Sequence, residues 1–249
     1  GFGSVSKYVA TSTIEAGLDV KSMSETSTKV FILEVMGRHA GWIAAASALA
    51  STNKTDPPHI ILMPEVPFAK KKFIDKVKQT VSNEGFCVVV ASEGTRYKNG
   101  MFLADSGLTD AFGHKQLGGV APVLAQMISS IGLKNHWAVS DYLQRSARHI
   151  SSKTDLDQAY AVGKKAVEFA LAGKNAVMPV IKRLSNKPYK WKIEAASLSK
   201  VANVEKTLPK GYISKDGFTI SSKGIDYLTP LIQGEPPLEF KNGIPVVAK

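Results

Sequence analysis

Apolar and polar positions follow two periods along this chain, one helical and one of strands. Residues 4–16 set Val5, Tyr8, Val9 and Ala16 at helical spacing, with Ser4 as a candidate cap and Gly17 as a candidate stop. Residues 29–35, Lys-Val-Phe-Ile-Leu-Glu-Val, are a β-branched and aromatic run that predicts a strand. Residues 39–50 are apolar or small nearly all round, with Trp42, Ile43 and Leu49 among them, which predicts a helix buried on several sides. Residues 60–64 predict a short strand. Residues 69–83 carry Phe73, Ile74, Val77 and Val81 on one helical face and Lys70, Lys71, Lys72, Lys76 and Lys78 mostly on the other. Residues 86–91 read as a fully buried strand.

The segment 94–119 is rich in Gly, Asp and Thr without a sustained period, so it predicts a long loop, which compact domains usually keep for function. Within it, His114 and residues 98–110 read as a surface excursion in preference to a lid. A helix is expected over 121–131, a strand over 136–139, and a further helix running to Gly173, opened by Thr154 with Asp157 three residues on as a capping box. Residues 176–181 predict a strand in which Pro179 suits an edge or an end. Strand and helix alternate throughout, the pattern of a doubly wound α/β fold with a mostly parallel sheet and helices on both faces.

Composition narrows the class. At 249 residues with 44% hydrophobic and 21% charged, the chain is long enough for one large domain or two small ones and too ordinary for a disordered or fibrous protein. The net charge of +11 makes acidic partners worth considering. Cys87 is the one cysteine, which excludes an intramolecular disulfide framework and a cysteine zinc site and suits a reducing, cytoplasmic compartment. The longest apolar stretch, about residues 41–50, is short of the roughly 18 residues a membrane span requires, so no membrane partner is expected. Beyond residue 181 the character changes: residues 182–223 hold ten Lys or Arg against three acids. The expected division is therefore an α/β core over 1–181 and a basic segment over 182–249 packing on it, its charge read first as a solvated surface.

In open parallel sheets ligands bind beyond the carboxyl ends of the strands. Three groups follow such ends. Met36-Gly37-Arg38 precedes a buried helix, so Gly37 allows close approach to the backbone, the helix start offers N–H groups to an anion, and Arg38 adds a donor fork for phosphate oxygens. Ser92-Glu93 offers a carboxylate that is costly in a core and useful to sugar hydroxyls. Asp141-Tyr142-Leu-Gln-Arg145 has Arg148 and His149 close behind. Singly, each has a bland reading, a surface ion pair for the Arg, a loop acid for the Glu, packing for the Tyr. Together they describe a phosphorylated-sugar site.

At these residues the sequence resembles a known family. Lys29-Val-Phe-Ile-Leu-Glu-Val-Met36-Gly37-Arg38-His-Ala-Gly-Trp42 is similar to the central motif of the phosphofructokinases, and most similar to their pyrophosphate-dependent branch, where a lysine stands seven residues before the Met. Pro64-Glu65-Val66-Pro67-Phe68, Ser92-Glu93-Gly94 and Tyr142-Leu-Gln-Arg145 follow in the family's order, and the resemblance thins after about residue 181. The resemblance implies phosphorylation of fructose 6-phosphate to fructose 1,6-bisphosphate with pyrophosphate as donor and Mg²⁺ held mainly by residues outside this chain. It implies that Met36 and Gly37 contact the sugar, that Glu93 holds its hydroxyls and that Arg38 lies toward the transferring phosphate as the one catalytic group here. Tyr142 and Arg145 would bind the 6-phosphate, and Lys29 would reach the same phosphate in a neighbouring subunit of a homodimer or homotetramer.

Where ATP-dependent members carry a histidine before their Gln-Arg pair, this chain has Tyr142; His136 or Lys134 stands near the position of a cross-interface arginine. The family's Gly-rich donor loop and Thr-Ile-Asp-Asn-Asp segment, with its aspartate base, are not in this sequence. The chain is therefore expected to be the C-terminal portion of a longer enzyme, binding without turnover by itself. The alternatives are an ATP-dependent phosphofructokinase, a non-catalytic sugar-phosphate-binding or regulatory subunit and, least favoured, a nucleic-acid-binding module. Against the last, the chain shows no recognised motif and no aromatics interleaved with its lysines. His136 and His149 lack metal-ligand spacing, and Trp42 and Trp191 read as packing residues.

Overall fold

A computed structural model describes residues 1–53, 55–105 and 119–246. His114 and the later part of the loop expected over 94–119 lie outside the described residues. The order is α1 (Phe2–Met23), β1 (Val30–Val35), α2 (Trp42–Ala46) with a 3₁₀ turn at Ser47–Ala50, β2 (Ile60–Leu62), α3 (Lys70–Glu84), β3 (Cys87–Ser92), α4 (Val120–Ser129), β4 (Asn135–Val139), α5 (Leu143–Ser146), α6 (Lys153–Leu171), β5 (Val177–Asn186), β6 (Tyr189–Ser197), α7 (Leu198–Val201) and α8 (Ser222–Leu228). Strands β2-β3-β1-β4, in that order, form one parallel sheet.

Alternation within the strands divides the core into two layers. Val30, Ile32, Ile60, Leu62, Cys87, Val89 and Ala91 meet Phe73 and Val77 of α3 and Val120, Ala121, Leu124 and Ile128 of α4. Leu33, Val35, Ile61, Met63 and Val90 face Val5 and Val9 of α1, Ala44 and Ala45 of α2, and Leu208 and Leu228 from the C-terminal part. With helices on both faces, the sheet is the expected doubly wound α/β arrangement. Each fully buried Val, Ile or Leu contributes about 1.5–3 kcal/mol.

Several local expectations need correction. The first helix does not stop at Gly17 but runs to Met23. A Cβ at Gly17 would lie 2.5 Å from Pro57 Cγ, so this glycine serves a close crossing inside the helix. Ser4 does not cap that helix; Gly1 is its N-cap, and the Ser4 hydroxyl donates to Asp155. The helix α6 is capped by Ser152, whose Oγ accepts from the Asp155 N–H, while Thr154 lies inside it and Asp157 pairs with Lys153. The helix expected over 39–50 is confined to five α-helical residues and one 3₁₀ turn.

The strand expected over 176–181 runs on to Asn186 and pairs antiparallel with β6 in a separate ribbon, Pro179 facing Ala195. The sequence pattern hid this hairpin because both strands are half exposed and interrupted by Lys and Arg. The compositional change at residue 182 thus falls within β5. Past the hairpin the chain returns to the second core layer, with Tyr212, Ile220 and Ile225 packed against it.

His59 enters β2 with its ring 8% exposed, edge-on to Phe86. Its Nδ1 accepts the Val88 N–H at 2.9 Å, which leaves the ring proton on Nε2. Burial lowers its pKa from 6.5 to about 4. An unfolded histidine takes up its proton near pH 6.5, whereas the folded one does so only near pH 4. The contribution is therefore complete above pH 6.5 and lost as pH falls toward 4, by about 3 kcal/mol at most. Urea unfolding at pH 7 and pH 4.5 should show a shallower pH slope in His59→Asn than in the parent sequence; equal slopes would contradict this origin.

Candidate functional site

Strands β1 and β3 are adjacent and parallel, with Val35 opposite Ser92, so Met36-Gly37-Arg38 and Glu93-Gly94 leave the sheet side by side. The Glu93 N–H donates to the Val35 carbonyl at 2.9 Å, extending the ladder one step beyond the strands. There the chain turns sharply: Gly37 has φ +155° and Arg38 φ +45°. A side chain at Gly37 would press within 2.7 Å of the Ala40 carbonyl. Arg38 accepts a left-handed backbone that costs an ordinary residue about 1 kcal/mol. What holds it is Glu93, whose Oε1 accepts both the Gly37 and the Arg38 N–H at 3.0 Å. At Gly94 an added Cβ would lie 1.4 Å from the Arg38 carbonyl oxygen, so only glycine lets the two segments touch.

A second carboxylate fixes the far end of the turn. Glu65 Oε1 accepts the Gly41 N–H at 2.9 Å and the Leu208 N–H at 2.7 Å, joining the start of α2 to the C-terminal part. His39 Nδ1 lies 2.6 Å from Glu205, and Trp42 donates to the Lys206 carbonyl at 2.7 Å. Trp42 also packs against Phe2, Tyr212 and Tyr227, the structural role expected of it. The expectation of N–H groups available to an anion at this helix start is not met. Those of Gly37, Arg38 and Gly41 are taken by the chain's own carboxylates, and α2 is only five residues long.

The third group follows β4. Ser140 N–H donates to the Glu34 carbonyl at 2.9 Å, Asp141 turns with φ +38°, and α5 begins. The Arg145 guanidinium lies over the Tyr142 ring, 4.4 Å from its centroid. Met36, Gly37, Arg38, Glu93, Arg145 and Arg148 border one cavity of about 670 Å³, which the start of α1 also lines. Tyr142, 61% exposed, is outside its wall and reaches it only through Arg145. Lys29 is not brought here: its ammonium donates to the Ser24 carbonyl at the opposite end of β1, roughly 20 Å away by strand rise.

Residues 1–170 match the family described as Phosphofructokinase. The chain belongs to the phosphofructokinase family. It is 62% identical over 250 residues to the pyrophosphate--fructose 6-phosphate 1-phosphotransferase of Halomonas elongata, covering 100% of this chain and 60% of that protein. It is 56% identical to the Xanthomonas campestris pv. campestris protein of the same name, covering 98% of this chain and 59% of that one. The crystal structure of a pyrophosphate-dependent phosphofructokinase from Marinobacter aquaeolei superposes with a TM-score of 0.89 at 58% identity, over 100% of this chain and 59% of that one. The chain spans about 60% of the length of the curated relatives it matches.

This phosphofructokinase chain also uses a carboxylate that sequence reasoning passed over. Glu34 lies next to the carboxyl end of β1 at 1% exposure and accepts the Gly119 N–H at 2.9 Å and the Ala121 N–H at 2.8 Å. Burial pushes its pKa up, those N–H groups pull it back, and Glu93 adds a like charge. The signal was present as a charge inside an apolar strand, which is costly unless paired. Glu34 holds the start of α4 to the sheet and is not among the residues lining the cavity. For the Mg²⁺ the family implies, no group of three or more His, Cys, Asp or Glu side chains converges among the described residues. The described residues do not fit a resident cation.

Because the turn tolerates no Cβ at residue 94, Gly94→Ala should push the Arg38 carbonyl away and break the Glu93 contacts. The expected cost is ~3 kcal/mol or more, read as a lowered urea midpoint. An unchanged midpoint would show that the two segments are not in contact.

Proposed function

We propose that the protein containing this chain transfers a phosphoryl group from pyrophosphate to the 1-hydroxyl of fructose 6-phosphate, reversibly and as a step of glycolysis, and that these residues form its acceptor side. One observation supports the reading above the others: an anchored carboxylate and three arginines border a single cavity at the carboxyl ends of the strands. Arg145 supplies a planar donor fork that matches a phosphate monoester, with Tyr142 stacked beneath it. Glu93 is divided in function. Its Oε1 is spent on two backbone N–H groups, while Oε2, which makes no hydrogen bond among the described residues, accepts sugar hydroxyls. Met36 and Gly37 pack against the sugar, which sets its 1-hydroxyl toward Arg38. Arg38 offsets charge on the transferring phosphate, since phosphoryl transfer relies on positioning and electrostatics.

Deprotonation of the attacking hydroxyl is assigned to the parent's aspartate, because the Thr-Ile-Asp-Asn-Asp segment is not in this sequence. Any Mg²⁺ would be held mainly by residues outside this chain, where it would neutralise charge on the transferring phosphate. Residues 1–249 alone are expected to bind fructose 6-phosphate without turning it over. Lys29, at the far end of β1, serves a neighbouring subunit of a homo-oligomer in this reading. No described helix is long and apolar enough to cross a membrane. Cys87 is a buried free thiol, and a chain with this single cysteine suits a reducing cytoplasm.

The test uses the full-length parent enzyme. Arg145→Ala should raise KM for fructose 6-phosphate about tenfold or more, the loss of about 1.4 kcal/mol or more from one charged contact. Pyrophosphate should sustain turnover that ATP does not. Equal rates with ATP would move the assignment to the ATP-dependent enzyme, and binding of the sugar phosphate with neither donor used would favour a non-catalytic subunit.

A further inference from the structure

We infer that Arg148 is a second guanidinium for the phosphate monoester of the acceptor, sharing with Arg145 the phosphate that is not transferred, and that the C-terminal segment 233–237 holds it in place. This rests on the acceptor-site reading above. Arg148 borders the same cavity as Arg145, Arg38 and Glu93. Its Nη1 donates to Ser151 Oγ and its Nη2 to the Pro237 carbonyl, each at 2.9 Å. Both partners are neutral. Neither Arg148 nor Arg145 forms an ion pair among the described residues, although Lys7, Lys71, Lys153, Lys165 and Lys187 each find a carboxylate. Asp155, seven residues on, is already bonded to the Ser4 hydroxyl at 2.6 Å.

Two guanidinium groups that border one cavity without an ion-pair partner among the described residues raise a positive potential in it. A dianion offsets it. Arginine has five N–H donors, and Arg148 spends two on its braces, leaving three for phosphate oxygens. The braces also reduce the rotamer freedom that binding would otherwise have to remove.

The segment bearing Pro237 is itself fastened. The Thr154 N–H donates to the Gln233 carbonyl at 3.1 Å, and the Lys153 N–H and Lys7 Nζ donate to the Gly234 carbonyl at 3.0 and 2.9 Å. Gly234 has φ +77°, and a side chain there would lie 2.7 Å from Lys153 Cβ. Lys7 also pairs with Glu235. A stretch beyond the family match at residue 170 thus reaches back to the cavity wall through one carbonyl.

The full-length parent enzyme with Arg148→Ala, Arg148→Lys and Ser151→Ala tests this. Arg148→Ala should raise KM for fructose 6-phosphate about tenfold or more while KM for pyrophosphate and kcat stay within about twofold. Arg148→Lys should recover little, because an ammonium cannot keep both braces and still present a fork. Ser151→Ala, which removes one brace and no charge, should raise the same KM by about two- to fivefold, and it keeps the test open if Arg148→Ala fails to fold. An unchanged KM for the sugar phosphate in folded Arg148→Ala and Ser151→Ala, or an equal rise in KM for pyrophosphate, overturns the assignment of Arg148 and leaves the acceptor-site reading standing. A wild-type parent that neither binds nor phosphorylates fructose 6-phosphate overturns both.

Discussion

One carboxylate oxygen carries the turn on which the site depends. Glu93 Oε1 holds the Gly37 and Arg38 amides at the point where two adjacent parallel strands end. Without that acceptor, Arg38 would occupy a left-handed backbone with two amides needing another partner. With it, a strained turn becomes a fixed edge against which a sugar can be set. The contact is available only because the register places Val35 against Ser92 and because Gly94 has no side chain. Sheet pairing, a missing methyl group and one charge together do the positioning.

The same device recurs around the cavity. Glu65 fastens Gly41 to Leu208, and Glu34 fastens the start of α4 to the carboxyl end of β1. In each case a carboxylate accepts backbone N–H groups from a segment distant in sequence, joining loops that local propensity leaves undetermined. Charge-assisted bonds of this kind are worth about 1.5–3 kcal/mol each where solvent is excluded. The C-terminal part also belongs to this framework: Leu208 and Leu228 complete the second core layer, and the 205–208 segment braces the turn.

Much of the fold was legible because β2 and β3 are largely apolar runs, β1 departs from one only at Glu34, and α3 has a clean lysine face; such patterns state their own period. The three site groups were legible as residues following strand ends, and the cavity does gather Met36, Gly37, Arg38, Glu93 and Arg145. Tyr142 stands behind Arg145, and Lys29 belongs to the other end of its strand. What escaped was set by tertiary contact. Gly17 read as a stop because nothing local shows that Pro57 crosses there, and the β5-β6 ribbon was hidden by half-exposed strands carrying Lys and Arg. The amides at the start of α2 read as available to a ligand because their acceptors, Glu65 and Glu93, lie far along the chain.

The contact between Gly94 and the Arg38 carbonyl has a consequence for how such a site can change over generations. Residues 37, 38, 93 and 94 act as a single heritable unit: a methyl group at 94 displaces 38, a displaced 38 releases 93, and a released 93 leaves the amide of 37 without its acceptor. The constraint at 94 excludes any side chain, and at 93 it requires an acceptor, whereas position 38 enters the unit through its main chain. Variation in acceptor preference is therefore steered toward Arg145 and Arg148, which sit on short helical turns outside this interlocked unit.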